Sequence, residues 1–213
     1  MDIHFSQVIP SPLVDQPRQD ASLWGKDFTL KHGENICLSA QSGKGKTSFV
    51  HILLGIRKDY TGKVSIGGKD IRDFTYSDWI NLRKNQISCI FQDLQLFPKL
   101  TVAENLLLKN ELTHIFSMDE IKQMVSELGI ENKWDSICEQ LSFGQQQRVA
   151  IIRALCQPFE WLILDEPFSH LDTENILKAS SLIKKVVEAQ QAGIILTSLG
   201  DLHDFHSDKT IYL

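Results

Sequence analysis

Residues 35–54 read NICLSAQSGKGKTSFVHILL, and few backbone paths accommodate them. A short β-rich apolar run, NICLS, gives way to a loop rich in glycine and lysine. SFVHILLGI follows, with an apolar spacing that suits a helix. The loop AQSGKGKTS, residues 40–48, is close to the phosphate-cradling pattern of Gly, four free positions and Gly-Lys-Ser/Thr. Gly45, Lys46 and Thr47 are in place, and Ala40 stands where the opening glycine is expected. In a strand–loop–helix unit, the loop N–H groups and the helix N-terminus behind them can surround a β-phosphate. Lys46 then reaches the β- and γ-phosphates, and the Thr47 hydroxyl offers a ligand to Mg²⁺. Gly45 is the position least able to accept a side chain, because backbone and phosphate meet there. The methyl of Ala40 lies at the strand's end, away from that approach.

Three further runs, ISCIF (87–91), WLILD (161–165) and GIILT (193–197), are equally short and apolar. Their near-continuous hydrophobicity predicts parallel strands covered on both faces, hence an α/β fold. VSIGGKDI (64–71) alternates around a Gly-Gly pair and predicts an exposed hairpin. IHFSQV and KDFTL are expected to join it in an antiparallel flank. Pro10, Pro12 and Pro17, with Asp15, Gln16 and Gln19, predict an irregular surface loop between them. SMDEIKQMVSELGI (117–130) places Ile121, Met124, Val125 and Leu128 on one stripe. Ser117 and Glu120 supply a capping box, and Gly129 a stop. The stretch 93–140 therefore reads as a helical insert, within a single unit spanning residues 1–213.

Two other segments carry chemistry. WLILDEP (161–167) brings Asp165 and Glu166 to the C-terminal end of a strand, the edge where open α/β sheets bind ligands. Asp165 can hold Mg²⁺ directly or through water, and Glu166 can polarise an attacking water. In LSFGQQQRVAIIRAL (141–155), Ser142 and Gln145 form a second capping box. That helix turns Val149, Ile152 and Leu155 inward and points its positive end outward, ready for an anion. The net charge of −5 argues against a protein that lives on nucleic-acid backbone. Cys37, Cys89, Cys138 and Cys156 lie far apart without metal-ligand spacing, and predict reduced, mostly buried thiols. The N-terminal residues do not read as a signal peptide. No apolar run approaches the roughly 20 residues that span a bilayer.

Together these motifs resemble the nucleotide-binding subunit of ABC transporters along almost the whole chain. AQSGKGKT is similar to the family's Walker A, WLILDE to Walker B, and LSFGQ to the LSGGQ signature. Gln92 in IFQDLQLFPKLTVAEN matches the Q-loop and SHLD (169–172) the D-loop. The resemblance implies a RecA-like P-loop NTPase core over about 1–92 and 141–213, with 93–140 as helical subdomain. It implies ATP and Mg²⁺ as cofactors and a head-to-tail dimer, homomeric or with a similar cassette. Residues 40–48, from Ala40, Gln41, Ser42, Gly43 and Lys44 through Gly45, Lys46, Thr47 and Ser48, would hold one nucleotide. Ser142, Gly144, Gln145 and Asp172 would meet the nucleotide of the partner. Glu166 would act as general base, with Lys46 and Gln92 assisting and Thr47, Gln92 and Asp165 around the metal. A separate transmembrane permease would dock near Gln92–Leu100, holding the subunit at the inner face of the plasma membrane. LFPKLTVAENLLL is most similar to compact cassettes of the lipoprotein-releasing, macrolide-export and cell-division kind.

The departures matter as much. Phe143 replaces the signature's first glycine. The aromatic residue that stacks on adenine in the family has no counterpart near Pro10–Leu13, and Trp24 reads as a packing residue. Weak selectivity for adenine is expected. Ser198 stands where the family's switch histidine should follow Thr197, which predicts slow hydrolysis with ATP binding intact. His203 is the nearby imidazole and reads as an ordinary surface residue. Two alternatives compete: a degenerate cassette that binds ATP and dimerises, and a non-transport ABC ATPase serving an envelope or cell-division complex.

Overall fold

The computed structural model describes residues 1–15, 22–39, 43–198 and 205–213. From the N-terminus, β1 (Ile3–Pro10) and β2 (Phe28–Leu30) lead into β3 (Asn35–Ser39) and α1 (Lys46–Leu53). The hairpin of β4 (Tyr60–Ile66) and β5 (Lys69–Asp70) follows, then α2 (Tyr76–Asn81) and β6 (Ile87–Ile90). Helices α3 (Val102–Asn110), α4 (Met118–Glu127) and α5 (Phe143–Leu155) come next. The chain closes with β7 (Trp161–Asp165), α6 (Thr173–Gln190), β8 (Gly193–Ser198) and β9 (Lys209–Tyr212).

The expected parallel strands form one sheet in the order β6-β7-β8-β3-β9. Strand β9, which the sequence reading did not single out, adds the edge beyond β3. The order places the ends of β7 and β3 on either side of β8, so the C-terminal ends of the three strands lie together at one edge. Side chains alternate across the sheet as the period of two requires. Leu162, Leu164, Ile194 and Leu196 face a core shared with α3 to α6, and Ile163 and Ile195 face α1 and the antiparallel sheet. Residues 102–130 thus pack into the same apolar core as α5, rather than enclosing one of their own.

The antiparallel flank has the order β2-β1-β4-β5, with Gly67 and Gly68 turning the hairpin as expected. One expectation needs correction. Pro10 belongs to β1, pairing with Tyr60, and is not part of an irregular loop. A register shift between Ser6 and Ile9, with Gln7 at φ 52°, carries the strand past the point where alternation ends. Proline is tolerated there because it is the last residue of the strand, where no further ladder bond is asked of it. Leu13, in a 3-10 turn after it, is buried. Helix α4 begins and ends as read: Ser117 and Glu120 cap it reciprocally. The N–H groups of Gly129 and Ile130 close it on the carbonyls of Ser126 and Val125. The four thiols are free, with Cys37, Cys138 and Cys156 buried and Cys89 partly exposed. Burial pushes the Cys156 thiol up to about 12 and that of Cys138 to about 11, which leaves both inert as nucleophiles.

Candidate nucleotide site

The loop after β3 enters α1 through Gly45, whose φ of 106° is open to glycine and strained for any side chain. A Cβ there would also lie 2.8 Å from Leu13 and 2.9 Å from the Trp24 indole. Trp24 is therefore a wall behind the loop: it is 4% exposed and donates its indole N–H to the Lys44 carbonyl at 3.2 Å. A ring buried in this way offers no face to a base, so the packing reading holds. Lys46, Thr47 and Ser48 form the first turn of α1, and the Thr47 side chain is exposed. Gly43 is exposed at φ 80°. Ala40, Gln41 and Ser42 lie outside the described residues, as does His203.

Three side chains expected to act together meet at the sheet edge. Lys46 Nζ lies 3.1 Å from Glu166 Oε1, and Gln92 donates its amide N–H to Glu166 Oε2 at 3.2 Å. They come from α1, the loop after β6 and the end of β7. The ammonium is nearly buried, at 9% exposure for the residue. Glu166 adopts φ 51°, a left-handed conformation that a non-glycine residue keeps only when its surroundings impose it. Those surroundings are visible. Its N–H donates to Thr197 Oγ1 at 3.3 Å, and Gln147 Nε2 donates to its carbonyl at 3.4 Å.

Asp165, the last residue of β7, is buried and accepts a hydrogen bond of 2.6 Å from the Thr197 hydroxyl. Burial raises its pKa. The Thr197 hydrogen bond and the nearby charges of Lys46 and His51 oppose that rise, and the charge of Glu166 adds to it. Thr197 is opposite Asp165 in the β7–β8 register, and Ser198 is opposite Ser39 at the end of β3. Among the described residues, no three His, Cys, Asp or Glu side chains form a metal cage.

The signature residues sit elsewhere. Ser142 caps α5 by accepting from the Gln145 N–H at 3.3 Å, and the Gln145 side chain answers the Ser142 N–H at 3.0 Å. Gly144 packs against the turn after β7, where a Cβ would stand 2.8 Å from the His170 carbonyl oxygen. Asp172 caps α6 through the Asn175 N–H at 2.9 Å, which lowers its pKa. Among the described residues, no hydrogen bond or ion pair joins Ser142, Gly144, Gln145 or Asp172 to Gln92 or Glu166 of the same chain. Two contributors were not expected from sequence. Thr197 bridges Asp165 and Glu166, and Gln147 ties α5 to the turn after Glu166. Their residue types give no signal, because both act through contacts between distant elements.

A sequence profile described as ABC transporter matches residues 23–169, most of the chain. The chain belongs to the ABC transporter family. It is 35% identical over 191 residues to a putative hemin import ATP-binding protein, HrtA, of Staphylococcus epidermidis, covering 88% of this chain and 85% of that one. It is 32% identical over 166 residues to the ABC transporter ATP-binding protein YtrE of Bacillus subtilis, covering 76% and 72%. The dimeric structure of MJ0796, a bacterial ABC transporter cassette, superposes with a TM-score of 0.83 at 26% identity, over 99% of this chain and 94% of that one. The cassette is thus an ATP-binding transporter subunit with ATPase activity, and it is of a kind that dimerises and works with transmembrane partners.

Proposed function

We propose that the cassette hydrolyses ATP at two sites of a head-to-tail dimer, each built from the loop after β3 of one copy and the α5 N-terminus of the other. The observation that carries this reading is the Lys46–Glu166 contact of 3.1 Å. A γ-phosphate competes with Glu166 for the Lys46 ammonium. Once Lys46 turns to phosphate, Glu166 is free to take a proton from water while Gln92 stays within reach of both. Water then adds to the γ-phosphorus as the bond to the ADP oxygen breaks. The α5 end supports the arrangement, since its N-terminus carries a positive dipole and, among the described residues, the side-chain cap on its N–H groups comes from its own Ser142.

Mg²⁺ fits the residues present. Thr47 and Asp165 supply oxygen only, and a buried carboxylate calls for a nearby cation. Magnesium sites of this class use one or two protein oxygens with substrate phosphates rather than a protein cage. The ion would neutralise charge on the phosphates, and Gln92 would lie beside it. A serine at position 198 is too short to donate to the γ-phosphate as the family's histidine does, so turnover is expected to be slow unless another residue supplies the donor.

A cavity of about 320 Å³ beside the Q-loop supports docking of the membrane partner there. Phe91, Leu94 and Gln95 line it with Arg83, Lys109 and Arg153, and no carboxylate does, in a chain of net charge −5. Gln157 Oε1 and Arg153 Nε are buried there without hydrogen-bond partners. An amphipathic helix of a permease, held at the cytoplasmic face of the membrane, suits that lining. Relatives named for hemin import and for aliphatic sulfonate import are 35% and 31% identical to this cassette, which supports cargo choice by the membrane subunit.

The test is steady-state ATP turnover of the purified chain with and without Mg²⁺, against Glu166→Gln as blank, with size measured in ATP. The reading requires turnover above the blank, dependence on Mg²⁺, and an ATP-dependent dimer. Turnover equal to the blank, or a monomer at saturating ATP, overturns it.

A further inference from the structure

We propose that His170 of one copy completes the hydrolytic site of the other, donating a hydrogen bond to the γ-phosphate edge where Ser198 stands in place of a histidine. The inference rests on the head-to-tail dimer proposed above. It begins from the turn between Glu166 and α6. His170 is exposed there, and its ring lies 5.1 Å from that of Phe143, tilted by 45°. Phe143 is itself 66% exposed, an apolar ring held at the tip of the signature turn. The His170 carbonyl closes on Gly144 so tightly that a Cβ would stand 2.8 Å away. The imidazole therefore belongs to the same surface as Ser142 and Gly144.

Its position is fixed as well as shared. Gln147, 1% exposed, accepts from the His170 N–H at 3.2 Å through Oε1, while its Nε2 donates to the carbonyls of Glu166 and Pro167. One buried amide thus ties the turn to α5 and to the general base. Any surface that receives the α5 N-terminus also receives His170. Among the described residues, no hydrogen bond or ion pair joins the His170 ring to Gln92 or Glu166 of its own chain. Ser198 ends β8 between β3 and β7, next to the Thr197–Asp165 pair, and the proposed dimer would bring His170 of the other copy to that edge.

The chemistry asks only for a donor. His170 N–H hydrogen-bonds a γ-phosphoryl oxygen as charge grows on it. Water's oxygen bonds to phosphorus, the β–γ bridging bond breaks with its electron pair leaving on ADP, and the water proton passes to Glu166. His170 gains and loses no proton overall. The signature's Phe143 buttresses the ring in the geometry seen here.

Trans complementation tests this. His170→Ala should keep ATP affinity and ATP-dependent dimerisation but lower single-turnover hydrolysis by about 10², the usual effect of removing one positioned donor. His170→Gln, which retains a donor, should recover part of the rate. Mixed in equal amounts with Glu166→Gln, His170→Ala should regain about a quarter of the wild-type rate. Half of such two-fold dimers are mixed, and each carries one intact site of two. Ser142→Ala mixed with Glu166→Gln is the control for the dimer geometry. Failure of that control overturns the head-to-tail reading and this inference with it. If the control complements and the His170→Ala mixture does not, or if His170→Ala is as fast as wild type, the His170 inference falls alone. A loss of rate in His203→Ala equal to that expected here, with His170→Ala unaffected, assigns the donor to His203 instead.

Discussion

The two halves of the nucleotide machinery differ in how their polar groups are satisfied. At the β7 end, every acting group answers another within the chain: Lys46 and Gln92 hold Glu166, and Thr197 holds both Asp165 and the Glu166 backbone. At the α5 end, among the described residues, the side chains of Ser142 and Gln145 bond to each other's backbone N–H, and an exposed Phe143 and His170 stand beside them. The first half is poised by internal contacts that substrate must break. The second is presented for contacts that only another molecule can make. In the proposed dimer one chain would therefore contribute two half-sites of opposite character, which would tie chemistry to assembly.

Four substitutions probe this contrast, in falling order of expected effect. Glu166→Gln removes the proton acceptor of the internally satisfied half and should cut the hydrolysis rate by about 10²–10⁴. The amide still accepts from Gln92, so ATP binding should persist and the dimer should accumulate, as measured by gel filtration in ATP. A variant that turns over ATP at the wild-type rate would remove Glu166 from the base role. Lys46→Ala should weaken ATP binding roughly ten- to hundredfold, the worth of a charge-assisted contact of about 1.5–3 kcal/mol. Calorimetry that finds unchanged affinity would break the phosphate assignment of the loop.

Gly144→Ala perturbs the presented half. Its methyl must push the His170 carbonyl from 2.8 Å, at an overpacking cost of about 1–3 kcal/mol, offset by up to about 1 kcal/mol from helix propensity. The expected result is a Tm lowered by a few degrees, about 2–4 °C per kcal/mol in a chain of this size, with the ATP affinity of the monomer unchanged. Reduced affinity would show that the halves are coupled within the chain. Asp165→Asn gives the smallest effect and one with a defined sign. Burial raises the Asp165 pKa, so its favourable contribution is present at low pH and is lost as pH rises through the raised value. The asparagine variant should therefore melt above wild type at pH 8 without nucleotide, the gap closing as pH falls. Equal melting across that range would mean that Thr197 and the neighbouring cations already offset the burial.

Sequence carried what is local. The strand–loop–helix around Lys46 and the caps at Ser117 and Ser142 were legible, because each depends on residues within one turn of itself. The parallel strands were legible too, since burial on both faces leaves an unbroken apolar run. Pro10 misled because a bulge at Gln7 lets β1 continue beyond its alternating pattern. The gripping amide of Gln147, the Thr197 bridge and the wall formed by Trp24 were not legible: each joins elements that only folding brings together. His170 was quoted within SHLD, yet its nearness to Phe143 across 27 positions appears only in space.

The wall behind Gly45 has a consequence of its own. Leu13 and Trp24 belong to the hydrophobic core, yet they are also the back surface of the nucleotide loop. Core repair and ligand recognition are therefore not separable traits on this side of the molecule. A change at either residue that loosens the interior also alters the room available to a phosphate, and it will present as a binding defect far from any bound atom. A substitution here meets two demands at once, what must stay folded and what must fit.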